Sequence, residues 1–214
     1  MSLRAVIFDY GMVLTDAQEP HAHAELVRLT GLPLEPFEAL YWADRHAYDE
    51  GKLTGLEFWQ KFVAAAGIRP AAGEETSTLV EKLNQWDARM WTTQNPVMLA
   101  WQLELKKRGF LTGILSNMGD NVLDNMKREF DWLHRFDALV WSYQLHMAKP
   151  DPAIYRYILG QLGVQPEEAL FLDDKRVNIE AAEALGMQAI QFSTVPKLRD
   201  DLVARGLDAV LPLP

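Results

Sequence analysis

Polar residues stand where short apolar runs end. Asp9 follows Ala5-Val6-Ile7-Phe8, and Ser116-Asn117 follow the run from Phe110 to Leu115. Lys149 comes shortly after the run Ala138 to Trp141, and Asp173-Asp174 close the run Ala169 to Leu172. Asp9, Asp173 and Asp174 offer hard oxygen ligands, which suit Mg²⁺ better than zinc or copper. Clustered carboxylates raise one another's pKa unless cations offset them, and a metal together with Lys149 supplies that charge. A serine hydroxyl and the N–H groups of a helix start hold phosphate oxygens. A carboxylate can itself attack phosphorus, forming an acyl phosphate that water then cleaves. Metal, ammonium, hydroxyl and carboxylate nucleophile together point to phosphoryl transfer. Each residue also has a plainer reading: Asp9 as a strand-end cap, Ser116-Asn117 as a turn, Lys149 as a solvated lysine before Pro150, and Asp173-Asp174 as caps of the next helix.

The elements that must position these groups are legible as well. Continuous apolar runs, rather than alternating ones, suit a parallel sheet buried on both faces; Gln188 to Phe192 makes a fifth run. Asn95-Pro96 and Asp151-Pro152 read as helix starts, closed by Gly109 and Gly163, and a third helix runs from Val177 to Leu185 before Gly186. Residues 15–94 contain no strand run. They read as helices at 17–30, 35–47, 55–66 and 76–90, the third opened by the capping-box spacing of Thr54 and Glu57. The expectation is an α/β, doubly wound parallel sheet built from residues 1–14 and 95–214, interrupted by an all-helical insert at 15–94. In such sheets the ligand lies outside the carboxyl ends of the strands, at the topological switch point, where all the polar groups above collect.

Composition narrows the partners. The chain has 214 residues, 49% of them hydrophobic and 24% charged, which excludes a disordered polymer. Lysine and arginine total 21 against 30 acidic residues, a net charge of −9 that argues against a nucleic-acid or anionic-membrane partner. The absence of cysteine removes disulfides, thiolate metal sites and a cysteine nucleophile together. No apolar run approaches the roughly 18 residues of a membrane span, and the start Met-Ser-Leu-Arg leads into a strand without a signal peptide. A cytoplasmic protein with a small-molecule substrate is expected, monomer and homodimer both remaining open.

Taken in order, the motifs resemble those of the haloacid dehalogenase (HAD) superfamily of phosphohydrolases. The first is Phe8-Asp9-Tyr10-Gly11-Met12-Val13-Leu14, the second Ile114-Leu115-Ser116-Asn117, and the third Lys149-Pro150-Asp151-Pro152. The fourth is Phe171-Leu172-Asp173-Asp174, followed by Asn178, Ala182 and Gly186. The insert between the first two is similar to that family's C1 helical cap. The resemblance implies a Rossmann-like core with Asp9 as nucleophile. It further implies Mg²⁺ held by Asp9, the backbone carbonyl of Gly11 and Asp174, with Asp173 assisting. Ser116, Asn117 and Lys149 would meet the phosphoryl group, and Lys149 would also balance the carboxylates.

One position departs from the pattern. The family's phosphatases usually carry a second aspartate two residues after the nucleophile, as general acid and base, and this chain has Gly11 there. Losing such a group typically costs about 10²- to 10⁴-fold in rate. Three readings stay open. One is a phosphatase for leaving groups that need little protonation, such as anomeric, acyl or aryl phosphates; a bacterial α-glucose-1-phosphatase subgroup resembles this chain in its Asp-X-Gly motif. The others are a phosphate-binding pseudoenzyme and a metal-independent dehalogenase, although dehalogenases usually carry tyrosine at the position Gly11 holds. Receiver domains use similar groups, but their acidic pair precedes the phosphorylated aspartate and they lack the insert. Trp42, Trp59, Trp86 and Trp91 read as packing or as a sugar-stacking surface. The stretch Tyr48-Asp49-Glu50-Gly51-Lys52 matches a loop that dips over the site in capped relatives. His21 and His23 are expected to point apart, and His146 is a conceivable substitute base.

Overall fold

The computed structural model describes residues 2–16 and 18–214. Ala17, where the first helix was expected to begin, and Met1 of the expected leaderless start lie outside the described residues. The sheet comprises β1 (Ala5–Phe8), β2 (Leu111–Ser116), β3 (Ala138–Trp141), β4 (Ala169–Asp173) and β5 (Gln188–Gln191). All pairings are parallel, in the order β3-β2-β1-β4-β5. Burial on both faces explains the unbroken apolar strands. In β1, Val6 and Phe8 enter one apolar cluster while Ala5 and Ile7 enter the other; in β4, Leu170 and Leu172 oppose Ala169 and Phe171 in the same way.

Helices cover each face. On the first lie α6 (Pro96–Lys107), α7 (Asp120–Glu129) and α11 (Val195–Ala204), through Met98, Trp101, Leu105, Val122, Met126, Leu198 and Leu202. On the second lie α9 (Pro152–Leu162) and α10 (Arg176–Ala184), through Ile154, Ile158, Leu159, Ile179 and Ala182. Pro96 and Pro152 sit in the first turns, capped by Asn95 and Asp151 as their sequences predict. The chain winds outward from β1 through β2 to β3, then returns to β4 on the other side of β1. That reversal opens the crevice between the carboxyl ends of β1 and β4.

Between β1 and α6 come α1 (Pro20–Thr30), α2 (Leu34–Ala43), α3 (Arg45–Asp49), α4 (Gly55–Ala65) and α5 (Thr76–Arg89). They enclose a third apolar cluster drawn from residues 22–90, with Phe37, Tyr41, Phe58, Trp59 and Leu83 at its centre. The expected helix at 35–47 is divided at Asp44, whose φ of −107° and ψ of 6° leave the helical region. Aspartate competes with the helix backbone for hydrogen bonds and tolerates such a break. The break separates α2 from α3, which ends at Asp49. Thr54 caps α4 in a full capping box with Glu57, and α8 (Ser142–Leu145) follows β3 directly.

The helical layer is fastened to the sheet layer near the carboxyl ends of the strands. The Gly55 N–H donates to Asp120 Oδ1 at 2.9 Å, and Asn121 Nδ2 donates to the Asn84 carbonyl at 2.8 Å. The Tyr48 hydroxyl bonds Asn121, and its ring lies so close to Gly119 that a Cβ there would stand 1.9 Å from Tyr48 Cζ. No helix among the described residues is long and apolar enough to cross a membrane.

Candidate active site

Strand register dictates what meets at the crevice. Phe8 pairs with Leu172 in β4 and with Ile114 in β2, so the next residue, Asp9, emerges beside Asp173 and near Ser116. Asp9, Asp173 and Asp174 each place a carboxylate oxygen within 4.8 Å of the others. Lys149 enters from the loop after α8 with its side chain only 1% exposed. Its Nζ lies 3.0 Å from Asp9 Oδ1 and 2.6 Å from Asp173 Oδ2. Sequence reasoning assembled these residues from four separate strand ends, and the fold does bring them together.

Their hydrogen bonds divide the labour. Asp173 is fully buried and saturated: it accepts from Lys149, from Asn178 Nδ2 at 3.0 Å and from the Lys175 N–H at 2.8 Å. This carboxylate fixes Lys149 and the start of α10, and Asn178 orients it. Asp174 is only partly buried and turns to the cavity. Asp9 Oδ1 accepts from the Tyr10 N–H at 2.7 Å and from Lys149, while Oδ2 has no donor among the described residues. Asn117 uses its amide on the main chain of Lys149, donating to its carbonyl and accepting from its N–H, both at 2.8 Å. Ser116 is buried at the cavity wall.

The electrostatics follow from burial. Burial pushes the Asp9 carboxyl up from 3.8 to about 7; Lys149 opposes the rise, and Asp173 and Asp174 add to it. Asp174 is raised for the same first reason, then by Asp173. Burial alone would lower the Lys149 ammonium, yet Asp173 and Asp9 hold it above its ordinary value. Three carboxylates against Lys149 and the cavity-lining Lys175 still leave a negative excess, which a hard cation would offset.

After Asp9 the chain makes an irregular turn over Tyr10–Leu14, with Met12 in the left-handed region at φ 61°. The turn is closed by the Thr15 N–H on the Tyr10 carbonyl at 3.0 Å. The cavity above has a volume of about 360 Å³. The core contributes Asp9, Gly11, Ser116, Lys149 and Asp174 to its lining, and the helical layer adds Trp42, Arg45, Asp49 and Trp91.

Sequence reasoning singled out the stretch containing Asp49 but missed Arg45, which precedes it on α3. Arg45 Nε donates to Asp49 Oδ1 at 2.9 Å and Nη1 to the fully buried Asp87 at 3.1 Å. Its guanidinium lies over the Tyr41 and Tyr48 rings at 5.1 and 5.0 Å. The tryptophans divide: Trp59 is core, Trp86 packs on His21, and Trp42 and Trp91 reach the cavity. His23 pairs with Glu38, away from His21. His146 packs against Gly51 and is not in the cavity lining.

Comparison with known proteins agrees with this arrangement. The family model of haloacid dehalogenase-like hydrolases matches residues 3–186. Phosphatase MT3486 of Mycobacterium tuberculosis is 30% identical over 210 residues, covering 95% of this chain and 93% of that protein. A phosphorylated carbohydrates phosphatase of Thermotoga maritima is 32% identical over 108 residues, half of this chain and 49% of its own. A HAD family enzyme of Bacteroides thetaiotaomicron, solved with magnesium and inorganic phosphate, has the same fold: TM-score 0.74 at 19% identity, covering 92% of this chain and 99% of that one. With the acidic cluster at the switch point and the family model spanning most of the sequence, the chain belongs to the haloacid dehalogenase-like hydrolases.

Proposed function

We propose that this protein is a Mg²⁺-dependent phosphatase that hydrolyses a small phosphorylated metabolite through an aspartyl-phosphate on Asp9. The observation that carries the reading is the buried Lys149 ammonium, 3.0 Å from Asp9 and 2.6 Å from Asp173, beside a carboxylate cluster with excess negative charge. Hard oxygen donors within 4.8 Å of one another fit Mg²⁺. Asp9, Asp174 and the Gly11 carbonyl would hold the ion, and Asp173, saturated by its neighbours, would set the geometry from behind. When bound, the ion neutralises phosphoryl oxygens and the carboxylate cluster.

The chain's own residues do the rest. Asp9 Oδ2, free of donors among the described residues, attacks phosphorus while Oδ1 is held by the Tyr10 N–H and Lys149. Ser116 and Lys149 grip the phosphoryl oxygens, and Asn117 keeps the Lys149 main chain in place. The helical layer acts as a cap, covering the cavity to exclude bulk water and opening to release product. A sugar phosphate is the substrate this reading favours, supported by the indoles of Trp42 and Trp91 in the cavity wall and by the Thermotoga relative. The test is phosphate release from p-nitrophenyl phosphate, glucose 1-phosphate and glucose 6-phosphate, with and without Mg²⁺. Release that needs Mg²⁺ and vanishes in Asp9→Asn supports the reading; release that survives in Asp9→Asn refutes the nucleophile. Phosphate binding with no turnover on any ester would favour a binding protein instead.

A further inference from the structure

The missing carboxylate at position 11 leaves a proton unaccounted for. A Cβ on Gly11 would lie 3.5 Å from Trp91 Cζ3 and 3.8 Å from Cε3, ordinary van der Waals contact, so the indole lines the cavity beside this position. Trp91 is anchored there, its carbonyl accepting from the Tyr10 hydroxyl at 2.5 Å. The wall beside the nucleophile is therefore aromatic.

The other protonatable groups of the cavity can be taken in turn. Asp9 and Asp174 belong to the nucleophile and the acidic cluster, Lys149 is locked between carboxylates, and the Tyr10 hydroxyl is committed to Trp91. Lys175 and Arg45 are cations. One carboxyl remains, Asp49, at the end of α3. Its Oδ1 accepts from Arg45 Nε at 2.9 Å, while Oδ2 has no donor among the described residues.

The segment bearing Asp49 is seated firmly over the core. The Ser142 hydroxyl at the start of α8 donates to the Asp49 carbonyl, and Gly51, at φ 78°, is packed so that a Cβ would stand 2.6 Å from the Tyr143 carbonyl. We propose that Asp49, supplied by the helical layer, is the proton donor and acceptor of the reaction, doing from above the cavity what a carboxylate at position 11 does elsewhere in the family. The assignment rests on the phosphatase reading of Asp9. The charged groups facing Asp49 are Arg45 on its own helix, Asp87 from α5 and Lys175 after β4. Burial raises its carboxyl, Arg45 and Lys175 oppose this, and Asp87 adds to it, which favours a proton held above the ordinary carboxylate range.

Two proton transfers balance the cycle. As Asp9 Oδ2 bonds to phosphorus and the phosphorus–oxygen bond of the ester breaks, the Asp49 carboxyl gives its proton to the departing oxygen, and the alcohol leaves. Water then attacks the aspartyl-phosphate and passes a proton to the Asp49 carboxylate. The bond from phosphorus to Asp9 breaks, releasing phosphate and restoring both side chains.

The experiment compares wild type with Asp49→Asn, whose amide oxygen still accepts from Arg45. It measures steady-state and burst kinetics on p-nitrophenyl phosphate and on an alkyl phosphate across pH. The expected result is a 10²- to 10⁴-fold loss of kcat/KM on the alkyl ester, with the alkaline fall of its pH profile abolished. On p-nitrophenyl phosphate the burst should persist and turnover after it should slow. Equal losses on both esters with an unchanged pH profile, or a rise in KM alone, would make Asp49 a binding residue and overturn the proposal. A wild-type enzyme with neither burst nor turnover would overturn the phosphatase reading first and this inference with it.

Discussion

Replacing Asp9 by Asn should stabilise the metal-free protein above neutral pH, although it removes the proposed nucleophile. Asp9 is 7% exposed, and its carboxyl titrates near 7 instead of 3.8, burial outweighing the help of Lys149. Between those values the folded state holds a proton that the unfolded chain has released, so stability falls as pH rises through that window. At about 1.4 kcal/mol per unit the cost is fully expressed above pH 7 and reaches roughly 4 kcal/mol. Asparagine escapes this cost because it is neutral at every pH, and its Oδ1 can still accept from the Tyr10 N–H. At roughly 2–4 °C per kcal/mol for a chain of this size, the variant should melt about 10 °C above wild type at pH 8 in EDTA. The gap should shrink toward pH 4. Mg²⁺ should raise the melting temperature of wild type more than that of the variant, since the ion binds the folded state through the charge that was removed. Thermal unfolding followed by circular dichroism at pH 4.5, 6 and 8, each with EDTA or Mg²⁺, reads all three effects. A variant no more stable than wild type at pH 8 in EDTA would refute the charge-excess argument.

Removing the cation should act in the opposite sense. Lys149→Ala leaves Asp9 and Asp173 buried without their shared ammonium, which should cost about 3–5 kcal/mol in urea unfolding; a change below 1 kcal/mol would mean that the pair is solvated. Gly11→Asp should restore part of the turnover that Asp49→Asn loses on alkyl esters, since a Cβ there meets Trp91 only at van der Waals distance. No rescue would place the loss in Asp49→Asn elsewhere than in proton transfer.

The sheet was legible because its strands are buried on both faces, so apolar runs mark them without ambiguity. β1 and β3 have the expected bounds, and β2 and β4 extend to Ser116 and Asp173 because pairing continues into the first polar residue. Two helices gave no such signal. α7 buries Val122, Leu123, Asn125 and Met126 in an otherwise polar stretch, and α11 buries only Leu198 and Leu202. Both owe their apolar contacts to the sheet they pack on, which a local period does not encode. Asp44, ordinary in sequence, ends α2 and separates it from α3.

The floor and the roof of the site differ in the same way. Asp9, Ser116, Lys149 and Asp173-Asp174 are readable because each follows a strand, and parallel strands deliver their carboxyl ends to one edge. Arg45, Asp49 and Trp91 reach that edge only through the packing of a separate helical layer, fastened by Tyr48, Asn121 and Ser142. Gly11 shows the consequence. In the sequence it registers as a lost carboxylate, and nothing near it in the chain indicates a replacement. In the fold the same glycine lies against Trp91, eighty residues on, and the cavity beyond carries Asp49 on the opposing layer. A group on the sheet edge would serve the reaction whether the helical layer is open or closed. Under the role proposed for Asp49, a group on the helical layer would serve the reaction only when that layer is seated, which would couple proton transfer to the exclusion of water.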